Sequence, residues 1–139
     1  MYSPKAQTIT YDPKRLKRND GKIGLLHEIG HAYLGHKYYT YDMQLLTMEM
    51  DAWDFVRRMA MTYSIKIDEA HINRCIASYD EWLSKRATCP SCDNFSLQSG
   101  RHSFSCFICG SRWTTNQNQL SRVKRTVIDN FERPRLAHN

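Results

Sequence analysis

The stretch His27-Glu28-Ile29-Gly30-His31 is an H-E-x-x-H pattern, and it lies within the apolar run Leu25 to Leu34. Two histidines four positions apart share one face of an α-helix, so both imidazoles can reach a single metal ion. Glu28 follows the first histidine directly, where it can take a proton from a water on that metal. The apolar context predicts a buried active-site helix over residues 22–34, with Gly35 as its terminator.

A second helix is predicted for residues 43–63, because apolar residues recur there at helical spacing. Two carboxylates flank its apolar sector, Glu49 on one side and Asp51 on the other. A zinc site with two histidines usually needs one more protein ligand, often a carboxylate from a following helix. Glu49 is the first candidate because its longer side chain reaches further, and Asp51 is the alternative. The apolar positions are Leu45, Met48, Ala52, Phe55, Val56 and Met59.

Three other residues could be mistaken for ligands of the same metal. His36 lies nine positions after His27, which is close to the opposite side of a continuous helix, so we interpret it either as a helix-end residue or as one that supports a ligand. A third helix is predicted for residues 68–86, with Asp68 as its N-cap. On that helix, His71 is predicted to be a surface or capping residue and Cys75 a core residue.

Two C-x-x-C pairs form a second motif, Cys89-Pro90-Ser91-Cys92 and Cys106-Phe107-Ile108-Cys109. This spacing is typical of a zinc ribbon, in which each pair forms a tight knuckle. Four thiolates close a tetrahedral site and leave no open position, so this zinc is structural. A module of this size cannot bury a sufficient core, and metal binding supplies its folding energy. Short strands are predicted at residues 103–105 and 111–113.

The two ends of the chain carry weaker signals. Residues 6–11 are rich in β-branched and aromatic residues and predict one short strand. Apolar residues from Leu120 to Phe131 suggest a short basic helix in the tail, ended by Pro134. The charge is uneven: residues 1–22 carry +4, residues 23–84 carry −4 and residues 85–139 carry +6. A basic end of this kind can bind nucleic acid or an acidic partner.

The composition limits the class of protein. A hydrophobic fraction of 41% in 139 residues is ordinary for a globular chain. No apolar run approaches the roughly 20 residues that span a bilayer, and the first residues lack the apolar core of a signal peptide. We therefore expect a cytoplasmic protein that has no membrane contact. In a reducing compartment, five cysteines favour metal binding over disulfides.

Residues 26–36 together with residues 48–55 resemble the ImmA/IrrE-type zinc metallopeptidases, and the resemblance covers about residues 6–85. It implies that His27 and His31 are ligands, that Glu28 is catalytic and that an acidic residue of the second segment, Glu49, is the third ligand. The second segment departs from the family pattern at Asp51 and Trp53. The family comparison implies cleavage of a protein partner, often a DNA-bound repressor. The appended ribbon is similar to that of SprT-like proteases.

The sequence thus predicts an α+β protein with a mostly helical zincin-like metallopeptidase core over residues 1–87. A zinc ribbon would cover residues 88–114 and a basic tail residues 115–139. The leading hypothesis is a zinc endopeptidase with two zinc ions per chain, one catalytic and one structural, acting on a protein substrate. The alternative is a zinc-ribbon module that binds nucleic acid or protein and carries a degenerate peptidase scaffold. A third hypothesis combines the two, with the ribbon and tail contacting DNA.

Overall fold

The structure is a computed structural model, and it describes residues 1–130. The described chain belongs to the α+β class, as predicted, with three α-helices and two small antiparallel sheets. It forms two compact units. The first comprises Met1–Tyr39 and Met43–Ala77, and the second comprises Thr40–Asp42 and the described residues from Ser78 onward. Over residues 1–130, no helix combines the length and the apolarity that a bilayer span requires.

The helices are α1 (Asn19–Tyr33), α2 (Asp42–Thr62) and α3 (Glu69–Ala87). The bounds of α2 and α3 agree with the prediction to within one residue, because a long apolar periodicity defines them. Asp68 caps α3 as predicted, since its Oδ1 accepts the backbone N–H of His71 at 3.1 Å. Helix α1 begins three residues before the predicted start, directly after a 3-10 turn at Arg15–Lys17.

Helix α1 ends at the predicted glycine. Gly35 has a φ of +68°, in the left-handed region that glycine adopts without strain. The N–H of Gly35 donates to the carbonyl of Ala32, and the N–H of His36 donates to the carbonyl of His31 at 3.0 Å. These bonds satisfy two carbonyls at the helix end and turn the chain back toward the last turn of α1. His36 therefore lies beside the last turn of α1, although it follows that helix in the sequence.

The N-terminal residues form a small hairpin. Strand β1 (Tyr2–Ser3) pairs antiparallel with β2 (Thr8–Ile9), with Tyr2 opposite Ile9. The predicted strand over residues 6–11 is thus confirmed only in its centre, because Gln7 adopts a positive φ of 52° in the turn. The partner strand was not predicted, since two residues carry no detectable pattern.

The core of the first unit lies among the three helices, where α1 and α2 approach closely at Gly30. A Cβ at this position would lie 3.0 Å from the Phe55 ring and 3.2 Å from the Ala52 carbonyl. A glycine here permits the close packing of the two helices. That approach places Glu49 of α2 beside the histidine face of α1. The buried core residues are Ile23, Leu26, Trp53, Phe55, Val56, Ala60 and Ile72.

Two of the three glycines within α1, Gly24 and Gly30, should respond differently to alanine. A Cβ at Gly24 meets nothing within 4 Å. Gly24→Ala should therefore raise the free energy of unfolding by about 0.5–1 kcal/mol, the usual gain in a helix interior. Gly30→Ala should lower it by about 1–3 kcal/mol, because the added methyl group overpacks the α1–α2 contact. Urea unfolding followed by circular dichroism measures both changes. An equal gain in both variants would contradict a close helix contact at Gly30.

The second unit contains a four-stranded antiparallel sheet in sequence order. Its strands are β3 (Leu97–Gly100), β4 (Ser103–Ser105), β5 (Ser111–Thr115) and β6 (Arg125–Asn130). Strands β4 and β5 confirm the two predicted strands, with Phe104 opposite Trp113. The rings of Phe104 and Trp113 stack with centroids 5.5 Å apart and form most of a small core with the cysteines.

The end of α3 belongs to this second unit and contributes a buried ion pair. Arg86 is 1% exposed, and its guanidinium donates to both carboxylate oxygens of Asp42, at 2.8 and 3.2 Å. The indole N–H of Trp113 donates to the backbone carbonyl of Arg86 at 3.0 Å. The Trp113 bond fixes the sheet to the last turn of α3. The pair with Asp42 satisfies the guanidinium, since a buried charge is tolerated only when it is paired and hydrogen-bonded.

The predicted helix in the tail is wrong for the described residues. Arg125–Asn130 forms β6, which pairs with β5 from Thr115 opposite Arg125 to Ser111 opposite Asn130. The open edge of β5 offers backbone groups that need partners, and the β-branched run after Arg125 suits a strand. Residues 131–139, including Phe131 and Pro134 of the predicted tail helix, lie outside the described residues.

Candidate metal centres

Three predicted ligands converge within the first unit. His27 Nε2 lies 3.1 Å from Glu49 Oε2 and 3.0 Å from His31 Nε2. His31 Nε2 lies 3.5 Å from Glu49 Oε1. Tetrahedral ligands at zinc–ligand distances of about 2.0–2.2 Å are separated by about 3.3–3.6 Å. The two imidazole nitrogens and the carboxylate oxygen nearest to each of them lie close to this spacing, so the group could hold one metal ion.

The electrostatics of the group favour a cation. Glu49 is 5% exposed and His27 is 9% exposed. Burial by itself would raise the pKa of Glu49, but the hydrogen bonds from His27 and His31 outweigh it and lower the pKa to about 2. The carboxylate is therefore ionised at neutral pH. A buried anion between two imidazoles is costly unless positive charge is close, and a divalent ion bound by all three residues supplies that charge.

Two other candidates from the sequence, Asp51 and His36, lie outside the group formed by His27, His31 and Glu49. Asp51 is exposed. His36 does not join the three donor atoms, but its Nδ1 lies 2.8 Å from Nδ1 of His31. The left-handed turn at Gly35 makes this contact possible. A metal-bound histidine commonly uses its second nitrogen in a hydrogen bond that fixes the ring. His36 occupies that position for His31.

Glu28 lines a cavity beside the histidines. The cavity has a volume of about 500 Å³ and is also lined by His27, Trp53 and His71. The side chain of Glu28 is 28% exposed, so water can reach its carboxylate. The backbone N–H of Tyr2 donates to Glu28 Oε2, which ties the N-terminal hairpin to α1. A reactant that uses this carboxylate must share it with that N–H or displace it.

The sequence did not indicate that Trp53 and His71 line this cavity. Trp53 follows Glu49 by four positions on α2, and that spacing is the signal that could have revealed it. His71 carries no comparable signal, because its place depends on how α3 packs in the first unit. Its Nε2 lies 3.6 Å from Cys75 Sγ. Cys75 packs against the core, as predicted, and burial raises the pKa of its thiol.

The four cysteines of the second motif converge in the second unit and could hold a metal ion. Cys89 Sγ lies 3.5 Å from Cys109 Sγ, and Cys92 Sγ lies 3.6 Å from Cys106 Sγ. Both distances greatly exceed a disulfide bond of about 2.05 Å. They approach the separation of about 3.8 Å between thiolates bound tetrahedrally at about 2.3 Å from one zinc ion.

Each C-x-x-C pair forms the expected knuckle. Residues in the left-handed region complete the turns, Asp93 with φ 55° and Gly110 with φ 79°. Burial acts to raise the pKa of Cys106, but the N–H groups of Cys109 and Ile108 lower it to about 6 by donating to its sulfur. Burial raises the pKa of Cys89 to about 11. The backbone of the second knuckle therefore prepares a thiolate, which is the form that binds metal.

Comparisons with models of protein families, with curated proteins and with solved structures found no match to this chain. The resemblance to the ImmA/IrrE-type peptidases therefore rests on the motifs at residues 26–36 and 48–55.

Proposed function

We propose that this chain is a zinc-dependent endopeptidase with a zincin-like core. One observation carries the proposal: His27, His31 and Glu49 converge within 3.5 Å of one another, and Glu28 lines the same cavity as His27. Two nitrogens and one carboxylate are the ligand set of many catalytic zinc sites, which keep a further position for water or substrate. The resemblance to the ImmA/IrrE-type peptidases supports the same reaction.

Each residue has a role in this proposal. Zinc at the site would polarise the scissile carbonyl group and lower the pKa of a water molecule. Glu28 accepts the proton of the attacking water and later donates it to the leaving amine. Its partial exposure suits this role, because the carboxylate must exchange protons with groups in the cavity. When water and substrate enter, the N–H of Tyr2 either shares the Glu28 carboxylate with them or gives up its hydrogen bond.

The second zinc ion is structural in this proposal and is held by Cys89, Cys92, Cys106 and Cys109. Four thiolates leave no position for a reactant, so this ion stabilises the ribbon and takes no part in hydrolysis. The proposal therefore requires two zinc ions per chain and a reducing compartment such as the cytoplasm. The substrate is a protein partner, and the basic segment over residues 85–139 suits a DNA-bound regulator.

The test compares wild-type protein with His27→Ala. We expect two zinc ions per wild-type chain and one per His27→Ala chain, measured by elemental analysis. The zinc-loaded wild type should cleave members of a proteome-derived peptide library, detected as new N-termini by mass spectrometry, and His27→Ala should not. Equal zinc content in both proteins would contradict the metal site. Two zinc ions without any cleavage would contradict the peptidase.

A second candidate function is a binding module for nucleic acid or protein. The observation that favours it is a set of exposed basic side chains in the second unit, which includes Arg101, Arg112, Arg122 and Lys124. Under this alternative, the cluster of His27, His31 and Glu49 (the His27 group) belongs to a degenerate scaffold. Each chain would then hold one zinc ion, and His27→Ala would not change that number. Both functions coexist if the ribbon brings the peptidase to DNA-bound substrates.

A further inference from the structure

The two histidines of the proposed catalytic site are held in different ways. His31 has a partner at each ring nitrogen, because Nε2 faces the metal group and Nδ1 contacts His36 at 2.8 Å. His27 has its Nε2 in the group, but its Nδ1 is buried and has no hydrogen-bond partner in the described part of the chain. Metal-bound histidines almost always donate this second N–H to a carbonyl, a carboxylate or water. No carbonyl or carboxylate of residues 1–130 supplies this restraint to His27.

An indole ring covers His27 instead. The Trp53 and His27 rings have centroids 4.0 Å apart and planes inclined by 31°, which is a tilted stack. Trp53 is 4% exposed and belongs to the core of the first unit. Its own Nε1 is buried and has no hydrogen-bond partner among residues 1–130. Packing, rather than hydrogen bonding, thus holds the indole in place, and a close-packed ring of this size has little freedom to move.

The position of Trp53 in the chain connects it to the third ligand. Trp53 follows Glu49 by four residues on α2, so the two side chains share one face of that helix. The same helix therefore presents a carboxylate to His27 Nε2 and an aromatic ring to the face of His27. Trp53 is also one of the two positions at which this segment departs from the ImmA/IrrE-type pattern. A small residue could not cover the imidazole.

We propose that Trp53 is a positioning residue for His27, and that the stacked indole fixes the ring orientation that a hydrogen bond at Nδ1 usually fixes. The inference rests on the metal-site part of the proposed function and not on peptide cleavage. Rotation of the imidazole would carry Nε2 away from Glu49 and His31. The stack restricts this rotation, so a flat side chain at position 53 maintains the geometry of the metal group.

The test measures metal binding without activity. The four-cysteine site is first filled with zinc, and Co²⁺ is then titrated into the His27 group and followed by its visible absorption. Trp53→Met, which fills much of the space without a flat ring, should bind Co²⁺ roughly 10- to 100-fold more weakly, the usual cost of losing a ligand's supporting contact. Its absorption spectrum should also change shape. Trp53→Phe keeps a ring and should stay close to wild type in affinity and spectrum.

Val56→Ala is the matched control. Val56 lies on the same helix and is buried in the same core, but it carries no ring that could cover His27. This variant should lower the temperature of unfolding and leave Co²⁺ affinity within about twofold of wild type. Unchanged affinity in Trp53→Met would overturn the inference, as would an equal loss in Val56→Ala.

Two further measurements separate the remaining outcomes. If wild-type protein binds no Co²⁺ beside its zinc, the metal site of the proposed function fails and the inference fails with it. If Trp53→Met does not fold, the tryptophan fluorescence of the wild-type protein tests whether the indole stays on His27. Co²⁺ bound in the His27 group should quench a component of the emission that Trp53→Phe lacks. Bound Co²⁺ without this quenching would show that the ring leaves His27, which overturns the inference.

Discussion

Replacing Glu28 by glutamine should reduce peptide cleavage by about 10²–10⁴-fold, the range in which general acid–base groups contribute. Glutamine has nearly the same shape and can still accept the N–H of Tyr2, so the fold and the N-terminal hairpin should persist. It cannot accept the proton of the attacking water. The variant should keep two zinc ions per chain, because Glu28 is not one of the ligand residues. Cleavage rates and zinc content, measured on the same preparation, check both statements.

Glu69→Gln is the matched control for this result. It makes the same chemical change within the first unit, at an exposed carboxylate paired with Arg57 at 3.0 Å. An exposed pair contributes about 0–1 kcal/mol, so this variant should be slightly less stable and cleave at nearly the wild-type rate. Glu28→Gln with wild-type activity would exclude Glu28 as the base. Loss of zinc in Glu28→Gln would mean that the residue binds metal or supports a ligand.

Replacing Cys106 by serine should unfold the ribbon. Apparent binding free energies of structural zinc sites are about 10–16 kcal/mol, and the small core around Phe104 and Trp113 cannot compensate for losing most of that energy. The variant should hold one zinc ion fewer and lose the near-ultraviolet circular dichroism of the buried Trp113 ring. The ribbon should also become sensitive to protease. The His27 group lies in the other unit and should still bind its ion.

Cys75→Ser is the control for the ribbon. Cys75 is the one cysteine outside the four-cysteine cluster, and it contacts His71 in the first unit. This variant should keep two zinc ions and an intact ribbon. A Cys106→Ser protein that retained both ions would contradict the four-cysteine site. A Cys75→Ser protein that lost the ribbon ion would assign Cys75 a role that the geometry does not indicate.

Local patterns predicted the features that depend on neighbouring residues. The apolar periodicity of α2 and α3 and the left-handed turn at Gly35 are properties of short segments, so the sequence was sufficient for them. The strand β6 was mispredicted for the opposite reason. Its residues carry spacing that also fits a helix, and the pairing edge of β5 decided between the two. In such segments, tertiary contacts determine the secondary structure.

The same division applies to the candidate site. The four-residue spacing of His27 and His31 on one helix determined that their imidazoles can share an ion, and no distant contact was needed. The choice of Glu49 over Asp51 could not be made in this way, because both flank the apolar face of α2. The close approach of α1 and α2 at Gly30 turns Glu49 toward the histidines and leaves Asp51 exposed.

The places of Trp53 and His71 in the cavity depend on the tertiary structure. Trp53 covers His27, and His71 reaches the same cavity, because α2 and α3 pack in the first unit with particular faces inward. Periodicity identifies the apolar face of each helix, but not which residue of that face meets a given residue on another helix. The sequence by itself therefore determined that His27 and His31 share one helix face and that each C-x-x-C pair forms a knuckle. Helix packing placed Glu49 rather than Asp51 beside the histidines and brought the Trp53 ring over His27, since these contacts join residues more than twenty positions apart.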